Sequence, residues 1–371
     1  MNWSIKIGSL FGIDLKVHLT FLLILIWGAF NYGGSAGPLY GVVVILALFT
    51  LVVLHELGHS LAAMGFGIPV KDITLLPIGG VARLERMPEK PMQELVVALA
   101  GPLVNVVLAL LLLPVVTSLA ALQSVELSIR LITQPGVLGL LTFLLWANIT
   151  LVIFNMIPAF PLDGGRVLRA ALGFFASYQK ATSIAVNVGR LFAVAIAIYG
   201  IYDGQIFLTV ISFFIFVVGG QEGQAVAVRS ILRNVQVRQA LKSNSIALSP
   251  YATVGQVASM MINNPQRNYA VLDPVNGQLL GVTTSDGVSE AMQRGQWHWR
   301  ITEIMQQAKH IPTIALTASL EEVQEILSEA SDQVVAVYDG LNFRGLITAN
   351  DIYRAFRLLS QSGQAAYPAF G

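Results

Sequence analysis

The sequence of 371 residues has no cysteine, which excludes disulfide bonds and thiolate metal sites. Charge is also scarce. Asp, Glu, Lys and Arg make up 12% of the chain, about half the share of a soluble globular protein. The 22 basic residues nearly balance the 21 acidic ones, for a net charge of +1, so nothing points to a nucleic-acid partner. The shortage of charge is uneven. From Leu19 to Leu54 not one side chain is charged, whereas residues 222–371 have ordinary charge density and alternate polar with apolar positions. The first part reads as a polytopic α-helical membrane domain and the second as a soluble α/β region.

A helical span needs about 20 apolar residues. Six stretches qualify: 17–37, 39–64, 94–121, 136–158, 183–202 and 205–221. The first is too long and apolar for a signal-peptide core and is expected to be retained. Basic residues orient the spans. Lys6, Lys16, Lys71, Arg83, Arg86, Lys90, Arg166, Arg169, Lys180, Arg229, Arg233, Arg238 and Lys242 all fall on one side, and only Arg130 on the other. Both termini are therefore expected in the cytoplasm. In this arrangement His55 lies about 24 Å along the second span at roughly 1.5 Å per residue, near the cytoplasmic face.

Against this apolar background, residues 52–64 read VVLHELGHSLAAM. An ionisable group within a span is costly and by default marks a functional site. His55 and His59 are four apart, hence on one helical face, where both imidazoles can bind one metal ion. Glu56 beside them is placed to handle the proton of an activated water. A tetrahedral zinc site still needs a third protein ligand. The fourth span ends at the same depth in NMIPAFPLDGGR, residues 155–166. Its Asp163 is a candidate for that ligand, or a cap of the helix RVLRAALGFF that follows.

Together, HELGH in a span and NMIPAFPLDGG about a hundred residues later resemble the site-2 protease family of intramembrane zinc metalloproteases. GIDLKVHLTF, LLPIGGVARLE and AGPLVN agree, so the resemblance covers about residues 5–220. It implies one catalytic Zn²⁺ bound by His55, His59 and Asp163, with Glu56 activating water and Asn155 positioning the substrate or its oxyanion. It also implies single-span membrane substrates, such as membrane-tethered regulators. DITLLPIGGVARLE is expected to form two short strands around Gly79-Gly80, whose edge could pair with an unwound substrate. Asn105 and Asn148 are expected to hydrogen-bond between helices, His18 to lie at the interface, and Arg190 to snorkel or pair within the bundle.

The soluble half contains an internal repeat. VRQAL, SPYATVGQVASMM and NYAVLDPVNGQLLGVTTSDGV are answered by ITEIM, LTASLEEVQEIL and QVVAVYDGLNFRGLITANDIYRAF, with Gly281 and Gly345 64 residues apart. This resembles a tandem pair of cystathionine-β-synthase (CBS) domains, which implies dimerisation or binding of an adenine nucleotide. The family's ribose contact, a Thr or Ser three residues and an Asp six residues after the glycine, matches Thr348 and Asp351. In the first repeat Thr284 is present, but Asp286 comes one position early and Gly287 takes its place. The expected divisions are thus 1–221 for the metalloprotease and 222–235 for a helical connector, then 236–296 and 297–371 for the two repeats. A CBS-regulated transporter or channel is the rival from another class, but the spans show no internal repeat of the transporter kind. An inactive protease-like protein is a third reading, opposed by the complete residue set.

Overall fold

The structure, a computed structural model, describes residues 3–85, 88–126, 131–132, 134–241, 246–264, 266–329 and 334–361. Of the basic residues that orient the spans, Arg86, Arg130 and Lys242 lie outside these. The chain divides into two compact units, Met1–Gln224 and Ala225–Gly371.

The first unit begins with a hairpin of β1 (Ser4–Leu10) and β2 (Ile13–His18), turned at Phe11 and Gly12, both at positive φ. Next come the helices α1 (Phe21–Tyr32) and α2 (Pro38–Gly65), then β3 (Val70–Leu76) and β4 (Gly79–Leu84). The helices α3 (Pro91–Leu122), α4 (Val137–Asn155), α5 (Asp163–Gly173), α6 (Tyr178–Tyr202) and α7 (Ile206–Asn234) follow. The four strands form one sheet in the order β1-β2-β3-β4, with β2 and β3 parallel and β4 at an edge. One face, through Ile13 and Ile73, packs on Leu57 of α2. The other holds the buried Asp72 between Lys16 and Arg83.

Among the described residues, five helices (α2, α3, α4, α6 and α7) are long and apolar enough to cross a membrane. The first expected span differs from its stretch 17–37. Residues up to His18 belong to the sheet, and α1 has only 12 residues, about 18 Å at 1.5 Å per residue. His18 and Thr20 bond through Nδ1 and Oγ1 at 2.7 Å just before α1. Gly34 and Gly37, both at positive φ, follow its end, a conformation that interrupts a helix at little cost only at glycine. At the other end of the unit, α7 continues without a break from the sixth span through the expected connector to Asn234.

The second unit contains α8 (Val237–Ala240), β5 (Ala247–Leu248), α9 (Val254–Asn263), β6 (Asn268–Leu272), β7 (Leu279–Thr284) and α10 (Ser285–Gln293). It continues with α11 (Ile301–Ile304), β8 (Gln306–Gln307), β9 (Thr313–Ala315), α12 (Leu320–Glu329), β10 (Val334–Asp339), β11 (Asn342–Thr348) and α13 (Ala349–Gln361). The sheets run β5-β6-β7-β8 and β11-β10-β9. The repeat is visible in register. Gly281 pairs with Val271 and Gly345 with Val337, and a β-bulge follows each valine. The opening helices are exchanged between the repeats: α8 packs through Val237 and Ala240 on Leu320, Val335 and Ile347. Correspondingly, Ile301 of α11 packs on Val254, Tyr269 and Val288.

Candidate metal centre

Four-residue spacing on α2 puts His55 and His59 on one face, and both are buried. That face meets α3, which answers with its own four-residue series of Val97, Gly101 and Asn105. The Val97 carbonyl accepts from His59 Nδ1 at 2.7 Å, and the Asn105 side-chain oxygen accepts from His55 Nδ1 at 2.5 Å. Gly101 lies against the His59 ring so closely that a Cβ there would collide with it. Small residues at such crossings let helix backbones approach.

Asp163 is the first helical residue of α5, not its N-cap, a position held by Leu162. Its Oδ2 lies 3.1 Å from His55 Nε2 and 3.2 Å from His59 Nε2, and the two Nε2 atoms are 3.1 Å apart. The helix-capping alternative for Asp163 is thus not what the structure shows. Among the described residues, His55, His59 and Asp163 form the group able to hold a metal ion. Glu56 is not part of it.

The geometry suits a metal. Each Nδ1 faces an oxygen that can only accept, so in the neutral ring the proton is on Nδ1 and Nε2 carries a lone pair. Two lone pairs and a carboxylate oxygen then converge in a buried place, an arrangement that requires positive charge among them. Ligands about 2.0–2.1 Å from a tetrahedral zinc ion are roughly 3.3–3.4 Å from one another. The observed triangle is within a few tenths of an ångström of that, and two imidazoles with a carboxylate are a zinc donor set.

Comparison with known proteins agrees. Peptidase family M50 matches residues 43–198, a stretch that contains every candidate residue of this site, and the CBS domain matches 301–358. Zinc metalloprotease MJ0392 of Methanocaldococcus jannaschii is 31% identical over 360 residues, which cover 97% of this chain and 98% of that protein. The chain belongs to peptidase family M50. As an M50 peptidase it is a zinc-dependent metalloprotease, with zinc as its cofactor and an integral membrane setting. Stage IV sporulation protein FB of Bacillus subtilis is 28% identical over 159 residues, 43% of this chain and 50% of that protein. Among solved structures, the site-2 protease from M. jannaschii is 37% identical and covers 60% of this chain and 95% of that chain, with a TM-score of 0.44.

The other sequence candidates of this M50 peptidase fall as follows. Asn155 is the half-buried last residue of α4. Asn105 and Asn148 are bonded between α3 and α4 as expected, but the further contact of Asn105 with His55 was not anticipated. Gly101 and Asn105 are present in AGPLVN, yet small and amide residues on a span serve equally for helix packing, so the sequence does not distinguish the two uses. Arg190 lies over the Phe216 ring, 5.1 Å from its centroid.

In the second unit, Thr348 and Asp351 are brought together at the start of α13. Asp351 Oδ2 accepts from the Thr348 backbone N–H at 3.0 Å and from its hydroxyl at 2.7 Å, while Oδ1 takes Arg354 Nη2 at 2.5 Å. This is a helix-cap arrangement. In the first repeat Thr284 accepts from the Gly287 N–H at 3.0 Å, and Asp286 is exposed.

Proposed function

We propose that this M50 peptidase hydrolyses peptide bonds of single-span membrane proteins in or near the bilayer, and so carries out regulated intramembrane proteolysis. The observation that carries this reading is the burial of His55, His59 and Asp163 as one ligand triangle, with both histidines on a helix apolar enough to span a membrane. Bound there, zinc supplies a Lewis acid that makes water a nucleophile near neutral pH. Glu56 takes the proton of the attacking water and returns it to the amine as the C–N bond breaks. The Asn155 amide donates to the oxygen of the attacked carbonyl, where negative charge develops.

Access to the scissile bond requires an unwound substrate, because a helix hides its own backbone. The edge strand β4 supports such access. A Cβ on Gly80 would stand 2.8 Å from Cγ of Glu56, so this part of the strand lies directly beside the proposed base. A substrate segment added to the outer edge of β4 would be held by main-chain hydrogen bonds close to Glu56.

The protease would occupy residues 1–221 and cross the membrane six times, α1 included, with both termini in the cytoplasm. The paired repeats, 236–296 and 297–371, would dimerise the chain or bind an adenine nucleotide through Thr348 and Asp351. The principal experiment compares wild type with Glu56→Gln for zinc content and for cleavage of a single-span reporter. Zinc retained with cleavage lost is the expected result. Loss of zinc together with activity would make Glu56 a ligand or a structural requirement, and unchanged cleavage would remove it from the chemistry.

A further inference from the structure

A directed series of hydrogen bonds leads from the backbone of α4 to His55 Nδ1, the ring nitrogen turned away from Asp163 and His59. It starts at the Leu144 carbonyl, which can only accept. The Asn148 amide nitrogen therefore faces it, at 2.8 Å. That turns Asn148 Oδ1 toward α3, where it accepts from Asn105 Nδ2, also at 2.8 Å. The one group Asn105 has left is Oδ1, which meets His55 Nδ1 at 2.5 Å. Each link fixes the orientation of the next. The last requires that His55 carry its proton on Nδ1 and present a bare Nε2 to Asp163 and His59.

Both asparagines are fully buried, so a partner lost here leaves a polar group without access to bulk solvent. The two ligand histidines differ in this respect. His59 is oriented by a backbone carbonyl, that of Val97, which no side-chain substitution removes. His55 depends on two side chains from two other helices.

We propose that Asn105 and Asn148 are positioning residues for the metal ligand His55, acting as a relay that sets its tautomer and ring orientation from the α4 backbone. The inference rests on the reading of His55, His59 and Asp163 as the zinc site. Simple attachment of α3 to α4 would need only the bond between the two asparagines. It gives no reason for the remaining oxygen of Asn105 to be spent on a ligand histidine, nor for the chain of donors to point away from it.

The test is zinc affinity of the full-length protein in detergent, read as metal retained against a competing chelator, with circular dichroism as the check on folding. Loss of such an outer partner weakens metal binding by about 10–100-fold, which is the effect expected for Asn105→Leu. Asn105→Asp keeps an acceptor for His55 Nδ1 and should hold zinc within a few-fold of wild type, since a carboxylate is a common partner of zinc-ligating imidazoles. Asn148→Leu should weaken binding less than Asn105→Leu. The double leucine variant should be no weaker than Asn105→Leu alone, because Asn148 acts only through Asn105. Wild-type affinity in Asn105→Leu, or losses that multiply in the double variant, would reduce the pair to helix attachment and overturn the relay. Should Asn105→Leu not fold, the order of Asn105→Asp and Asn148→Leu decides: zinc better held by the second overturns the proposal. The zinc-site reading itself is tested separately by His55→Ala, which must lose the ion.

Discussion

Arg169 and Glu94 form an ion pair closed off from water. Arg169 Nε donates to Glu94 Oε1 at 2.7 Å, and the two side chains are 1% and 4% exposed. The same guanidinium reaches Glu222 of α7 at 2.9 Å and lies over the rings of Phe160 and Tyr178, each 4.8 Å from its centroid. One residue of α5, the helix that starts with Asp163, thus ties together α3, α5 and α7.

Removing one member of such a pair is worse than removing both, because a buried charge is left alone. Arg169→Met is expected to destabilise the membrane unit by about 3–5 kcal/mol, seen as a lower unfolding temperature in detergent. Adding Glu94→Leu to that variant should recover much of the loss. A double variant no more stable than Arg169→Met would show that the cost lies in packing on Phe160 and Tyr178.

Asp163→Asn should weaken zinc retention about tenfold or more, since a neutral amide is a poorer ligand than a carboxylate, and proteolysis should fall with it. Metal analysis of the purified variant is the measurement. Full occupancy together with full cleavage would remove Asp163 from the site.

Asp72 gives the sheet an acid-sensitive point. Hydrogen bonds from Arg83 hold its carboxyl down to about 2, against the opposing effect of burial and with further help from Lys16. A folded-state value below the unfolded one, about 3.9, means that this contribution is complete above the unfolded value. It is then lost as pH falls through the interval from about 4 to 2. Wild type should therefore lose stability relative to Asp72→Asn across that interval, and parallel unfolding temperatures of the two proteins would contradict the linkage.

Asp351 closes a cap at the start of α13, whereas Asp286 is exposed. Asp351→Ala is expected to cost about 1 kcal/mol, in the range of lost helix caps, and Asp286→Ala close to nothing. Calorimetry on the full chain with ATP or AMP tests the ligand role. Heat that disappears in Asp351→Ala and persists in Asp286→Ala supports a ribose contact. A stability loss with no heat in wild type leaves Asp351 as a cap alone.

The sequence by itself determined what depends on local periodicity. Two histidines four residues apart share a helical face wherever that helix lies, and uncharged runs of 20 residues require an apolar surrounding. A repeat with Gly281 and Gly345 in matching places forms two similar hairpins. The tertiary structure decided what depends on how helices are rotated against one another. Asp163 precedes the run RVLRAALGFF, where a carboxylate reads equally well as a cap or a ligand; only the packing of the helices brings it to His55, 108 residues away. Asn105 could face lipid, α4 or the metal site, and only the crossing of α2 with α3 turns it toward His55, 50 residues distant. The partnership of Arg169 with Glu94 spans 75 residues and is equally invisible in one chain read alone. Helical periodicity is written into each segment, whereas side-chain contacts between segments follow from close packing of all of them at once.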